Sequence, residues 1–155
     1  MGASAWEYVV PYQEDLGAAL DVLRREVFAG GDYVKPDFYG DVFDLSEPGS
    51  VDDLIEDEQY AEFMGTSGTH SIIDVLSVVP ADFGGEEFGT VRLLSDEESA
   101  DLFGAARPGR EDYARLAGWE QLQEFVTGGR WTGRAAVLWD GDKPAEIAFW
   151  GYSGD

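Results

Sequence analysis

The sequence predicts a single α+β domain over residues 1–155, with a mainly antiparallel sheet of about five strands and helices packed on one side of it. Three observations carry that expectation. Two β-rich segments, 131–139 and 145–150, flank Asp140-Gly141-Asp142-Lys143-Pro144 in the pattern of a hairpin. Leu16, Leu20, Leu23 and Val27 recur at helical spacing. The chain is 44% hydrophobic with nine Phe, seven Tyr and five Trp, which at 155 residues is enough to bury a core without disulfides or a structural metal.

Taken in order, Trp6-Glu7-Tyr8-Val9-Val10 alternates, is rich in β-formers and stops at Pro11, so it reads as a first strand. The helix that follows has Asp15 or Glu14 in its first turn and Gly30-Gly31 past its end. Residues 32–49 mix Asp, Gly, Pro and isolated rings without a period, as an ordered loop pinned by its aromatics would. Ser50 is placed to cap a short helix through about Phe63, with Leu54, Ile55 and Ala61 facing inward, and Gly65-Thr66-Ser67-Gly68 breaks it. Residues 69–79, bearing Ile72, Ile73, Val75, Leu76, Val78 and Val79, read as a largely buried strand ended by Pro80, and 88–94 as another.

Ser95-Asp96-Glu97-Glu98 has the form of a capping box, opening a short helix that ends near Gly104. Pro108 suits the first turn of a helix carrying Tyr113, Leu116, Leu122, Phe125 and Val126, interrupted by Gly118 and stopped by Gly128-Gly129. The closing hairpin leaves its register open: a three-residue loop sets Val137 against Ala145, and a two-residue loop shifts the pairing.

Charge narrows the function classes. The 32 acidic and 10 basic residues give a net charge of -22, which repels phosphate backbones and anionic membranes and excludes direct nucleic-acid binding through a basic groove. No apolar run approaches the roughly 20 residues that span a bilayer. The first ten residues have neither the basic nor the apolar region of a secretory signal, so the chain is expected to be cytoplasmic. Eight Arg against two Lys, no Asn and plentiful Ala and Gly match GC-rich coding, and a halophile's surface would also be acidic and Lys-poor. The placement is uneven, however: residues 1–91 carry 20 acids and 3 bases, and residues 92–155 carry 12 and 7.

Catalytic signals are sparse. Without Cys there is no thiol chemistry and no Cys-based metal site. The one histidine, His70 in Gly68-Thr69-His70-Ser71, is a candidate base for Ser67 or Ser71, but a lone histidine at the start of a strand reads as structural. The glycines around Ser67 do not have nucleophile-elbow spacing. Asp140-Gly141-Asp142 is a turn rather than a calcium loop, and no phosphate-binding glycine pattern occurs. No catalytic residue, metal or cofactor is assigned.

The strongest feature is the segment 32–62, which holds 11 acids opposed only by Lys35. Within one helix, Asp52/Glu56 and Asp53/Asp57 would be like-charge pairs costing a few tenths of a kcal/mol each. Asp52, Asp53, Glu56 and Asp57 are therefore candidate contacts for a cationic partner, with Tyr33, Phe38, Tyr39 and Phe43 of the preceding loop supplying short-range apolar contact.

Three stretches, 6–28 (WEYVVPYQEDLGAALDVLRREVF), 68–78 (GTHSIIDVLSV) and 144–155 (PAEIAFWGYSGD), together resemble small acidic proteins of unassigned activity from actinobacteria. In overall character the chain is also similar to bacterial immunity proteins, small acidic domains that neutralise a toxin by occluding it. The expectation is a non-enzymatic acidic binding protein, an immunity or inhibitor protein for a basic partner such as a toxin. The alternatives are a nucleic-acid mimic that blocks a DNA- or RNA-binding protein, and a small enzyme using His70 and carboxylates.

Overall fold

The structure, a computed structural model, describes residues 4–36, 45–84, 88–117, 120, 122 and 130–153. The chain runs β1 (Ala5–Pro11), α1 (Leu16–Gly30), α2 (Asp53–Glu56), a 3-10 turn (Glu58–Tyr60), α3 (Ala61–Thr66), a second 3-10 turn (Ile72–Asp74), β2 (Ser77–Val79), β3 (Thr90–Leu93), α4 (Asp96–Phe103), α5 (Arg110–Leu116), β4 (Thr132–Asp140) and β5 (Lys143–Tyr152). It is an α+β domain whose five strands form one sheet in the order β1-β5-β4-β3-β2. Antiparallel pairing dominates, because β5 is matched along its length by β1 on one side and β4 on the other, whereas the parallel β3–β4 and β2–β3 pairings are short.

Local chemistry sets the element ends. Asp15 caps α1 by accepting from the Ala18 N–H at 3.1 Å, and Gly31 closes it at φ 72. The capping box of α4 forms as its sequence pattern requires: Ser95 Oγ accepts from Glu98 N, and the Glu98 carboxylate accepts from Ser95 N. Arg92 holds the same carboxylate through two 2.7 Å bonds, and chiefly for that reason Glu98 ionises at about 2. At the hairpin, Asp140 pairs with Lys143 across a two-residue loop, with a bulge between Leu138 and Trp139, so Val137 faces Ile147. Only the first loop residue, Gly141 at φ 63, needs the left-handed region.

The helices are not confined to one side of the sheet. Side chains on β5 alternate between two cores: Ile147 and Phe149 join Trp6, Val10, Ala135 and α1's Leu20 and Leu23 on one face. Ala148 and Trp150 join Ala136, Leu138, Phe103 of α4 and Tyr113 of α5 on the other. A strand apolar on both sides needs cover on both sides, which is why the helices divide. Trp150 is fully buried, and its indole N–H donates to the Leu122 carbonyl at 2.7 Å.

Three expected elements differ. Residues 69–79 do not form one strand: only Ser77–Val79 pairs, and Ile72–Asp74 is a 3-10 turn capped by the Ser71 hydroxyl. The apolar run there reports burial, which a turn satisfies as well as a strand. The helix expected from Ser50 to Phe63 breaks at Asp57, whose backbone is extended. The helix after Pro108 begins at Arg110, with Asp112 accepting from the Gly109 N–H at 2.7 Å, and its expected continuation through Phe125 and Val126 lies outside the described residues.

Candidate partner-binding groove

The acidic segment rests on a small core of its own. Val51, Leu54, Tyr60, Phe63 and Ile73 are buried together, with Val27 and Phe28 of α1 packed against them. Tyr60 ties the segment down further by donating to the Ser46 carbonyl at 2.9 Å. Apolar contacts on one side leave the charges on the other, and Asp52, Glu56, Asp57, Glu58 and Glu62 are all exposed.

These carboxylates have unequal roles. Asp53 turns back to accept from the Gly49 and Ser50 N–H groups at 3.0 and 3.1 Å. Asp57 starts the following turn, accepting from the Gln59 N–H at 3.1 Å and from its side-chain amide at 2.7 Å. The Asp53/Asp57 repulsion expected of a continuous helix is therefore not the governing term, because the chain leaves the helix at Asp57 and both side chains are engaged in capping. Asp52 lies 3.7 Å from Arg25, an exposed pair of small energetic weight. Glu56 points to solvent. Tyr33 is half-buried and stacked on Phe28 at 5.5 Å, with Lys35 6.0 Å from its ring, so it braces the end of α1. Phe38, Tyr39 and Phe43 lie outside the described residues.

Beside this acidic surface runs a groove of ≈ 480 Å³, lined by Leu54, Ile55, Ala61, Met64 and Gly65 from α2 and α3, by Asp74 and Leu76, and by Phe88, Gly89 and Trp131 just before β3 and β4. Four large hydrophobic side chains are exposed among the described residues, and three of them, Ile55 (41%), Leu76 (51%) and Phe88 (78%), are in this groove. The fourth, Val22, is on α1. Sequence reasoning placed Ile55, Ala61 and Leu76 inside. In α2 only Leu54 reaches the core, and Ile55, a helical step of about 100° away, is carried outward.

At the base of the groove, Asp74 Oδ1 accepts from the N–H and the hydroxyl of Thr69, both at 2.8 Å, and Thr69 Oγ1 lies 2.7 Å from Ser71 Oγ. Burial raises the Asp74 carboxyl to about 6 against the pull of those bonds and of the His70 charge. The two non-glycine residues with positive φ among the described residues, His70 at 57 and Trp131 at 66, both belong to this region. His70 is thus in a bend rather than a strand. Its Nε2 lies 3.3 Å from Ser67 Oγ, the contact an enzyme reading would use, while Ser71 is buried and engaged in capping. Asp74 Oδ1 serves Thr69.

Among the described residues, no three His, Asp or Glu side chains are grouped to hold a metal ion, and no helix is long and apolar enough to cross a membrane. Compared with family models, with curated proteins and with solved structures, the chain finds no match.

Proposed function

We propose that this chain is a binding protein that occludes a basic protein partner, in the manner of an inhibitor or immunity protein for a toxin. The observation that carries the reading is the meeting of two surfaces: an apolar groove holding three of the four large hydrophobics exposed among the described residues, and the exposed acids of residues 52–62 directly beside it. Apolar side chains gathered in one place supply the short-range contacts that determine dissociation, and charge beside them steers a cationic partner and sets the association rate.

The test uses substitutions at the apolar positions. Ile55→Asp, Leu76→Asp and Phe88→Asp should each weaken a captured basic partner by roughly thirtyfold or more, the scale of a lost hot-spot contact. Val22→Asp, an equally exposed site away from the groove, should leave binding unchanged. Equal losses at Val22 and at the groove positions would reject the local surface.

A further inference from the structure

The floor of the groove differs from its apolar walls. Asp74 lines it yet is only 6% exposed, and its two oxygens have different surroundings. Oδ1 is taken by the two Thr69 donors. Oδ2 is closed to water and has no hydrogen-bond partner among the described residues. The edge of the Trp131 ring shares its surroundings: Oδ2, Cζ3 and Cη2 all lie within 2.8 Å of the point where a Gly68 side chain would begin. Gly68, at φ 65, therefore makes room for both. Trp131 also lines the groove, and its left-handed backbone is one that an aromatic residue seldom takes. A buried carboxylate with one oxygen unmatched lacks a donor.

We infer that the groove floor receives a lysine side chain of the basic partner, its aliphatic stem along Leu54, Met64, Leu76 and Phe88, its ammonium donating to Asp74 Oδ2 as the Trp131 ring turns aside to stand against the cation. This inference rests on the groove being the partner-facing surface. Lysine fits better than arginine for a geometric reason. A guanidinium is recognised best by two parallel bonds to both oxygens of a carboxylate, and one of these oxygens is already occupied, whereas a compact ammonium needs only the other. The long stem suits apolar walls, and the indole face attracts a cation. A net charge of -22 draws cations in and repels a second copy of this chain.

The experiment titrates the folded protein at constant ionic strength with n-pentylammonium, n-pentanol and n-butylguanidinium, following the Asp74 carboxyl carbon and the Trp131 indole N–H by NMR. Both signals should move saturably with the ammonium, and the other two compounds should bind at least about tenfold more weakly, the scale of a charge-assisted hydrogen bond. Asp74→Asn, which keeps an oxygen for Thr69, should lose that preference. An N-acetylated, C-amidated alanyl-lysyl-alanine peptide should reproduce the ammonium's shifts. Equal affinity for pentanol overturns the assignment, as does a preference retained in Asp74→Asn. Asp74 shifts no larger than those of the exposed Glu97 and Asp101 would reduce the effect to diffuse attraction and overturn it too. A site that takes pentylammonium but not the peptide serves a free amine, and the lysine assignment fails. No protein partner enters this titration, so its failure leaves the Ile55, Leu76 and Phe88 test standing, and failure of that test is read separately.

Discussion

Asp74 is where a single proton should be most visible in the stability of this fold. Its folded value, about 6, lies above the 3.8 of an unperturbed aspartate, so folding favours the protonated form. The stability it contributes is fully present below about pH 3.8 and is lost as the pH rises through about 6. A shift of about two units at 1.36 kcal/mol each amounts to about 3 kcal/mol, undiminished by solvent because the residue is 6% exposed. Asn at this position resembles the neutral acid and does not titrate. The stability of Asp74→Asn relative to wild type should therefore rise by about 2 kcal/mol between pH 4 and pH 7, because the unfolded carboxyl is already partly ionised at pH 4, and that is roughly 4–8 °C in Tm for a chain of this length. Titrations that do not couple to Asp74 cancel in the difference. Among the described residues, the charged and titratable groups that interact with Asp74 are Tyr8 on β1, Arg24 on α1 and His70. Urea unfolding of both proteins at half-unit pH steps, repeated in a His70→Gln background to hold the imidazole constant, reads the effect. A gap that stays flat within about 0.5 kcal/mol across that range would refute a buried, poorly matched carboxylate.

Three more outcomes follow from the contacts described. Asp53→Ala and Asp57→Ala should each destabilise by about 1 kcal/mol, since both side chains cap, whereas Asp52→Gln and Glu56→Gln should be neutral within about 0.5 kcal/mol in urea unfolding. The quadruple variant Asp52, Glu56, Glu58 and Glu62 to Gln should slow partner association more than neutralising the exposed Glu97, Asp101, Glu111 and Glu120, and stopped-flow rates that fall equally would leave only diffuse attraction. Gly151→Ala should lower the Tm sharply or prevent folding, because its new carbon would lie 2.4 Å from the Thr132 carbonyl oxygen across the β4–β5 pairing.

The α+β class and many of its parts were legible locally. Asp15, Gly31, Ser95 and Glu98 act within a few residues of their own positions, so their caps could be read before any tertiary structure. The hairpin was legible for the same reason, though its two-residue loop and bulge were left open. Of the run at 69–79, residues 71–75 are buried as read but turn rather than extend, whereas Ser77–Val79 is a strand and Leu76 is exposed, because hydrophobicity reports neither backbone angle nor the face a side chain takes. The acidic segment was found from charge alone, but which carboxylates cap and which face solvent depends on the break at Asp57.

The sequence by itself determined one acidic α+β chain, the local starts and stops of its helices and the charge concentrated in residues 32–62, since composition and short-range capping need no distant partner. Tertiary structure alone decided the sheet order, the division of helices between two faces, and the groove where Ile55, Leu76, Phe88, Asp74 and Trp131 meet. Those residues span 77 positions of chain from Ile55 to Trp131, and what joins them is the parallel alignment of β2, β3 and β4, which brings the starts of three strands to one end of the sheet. No local pattern encodes that alignment, because it is selected by the packing of the whole core.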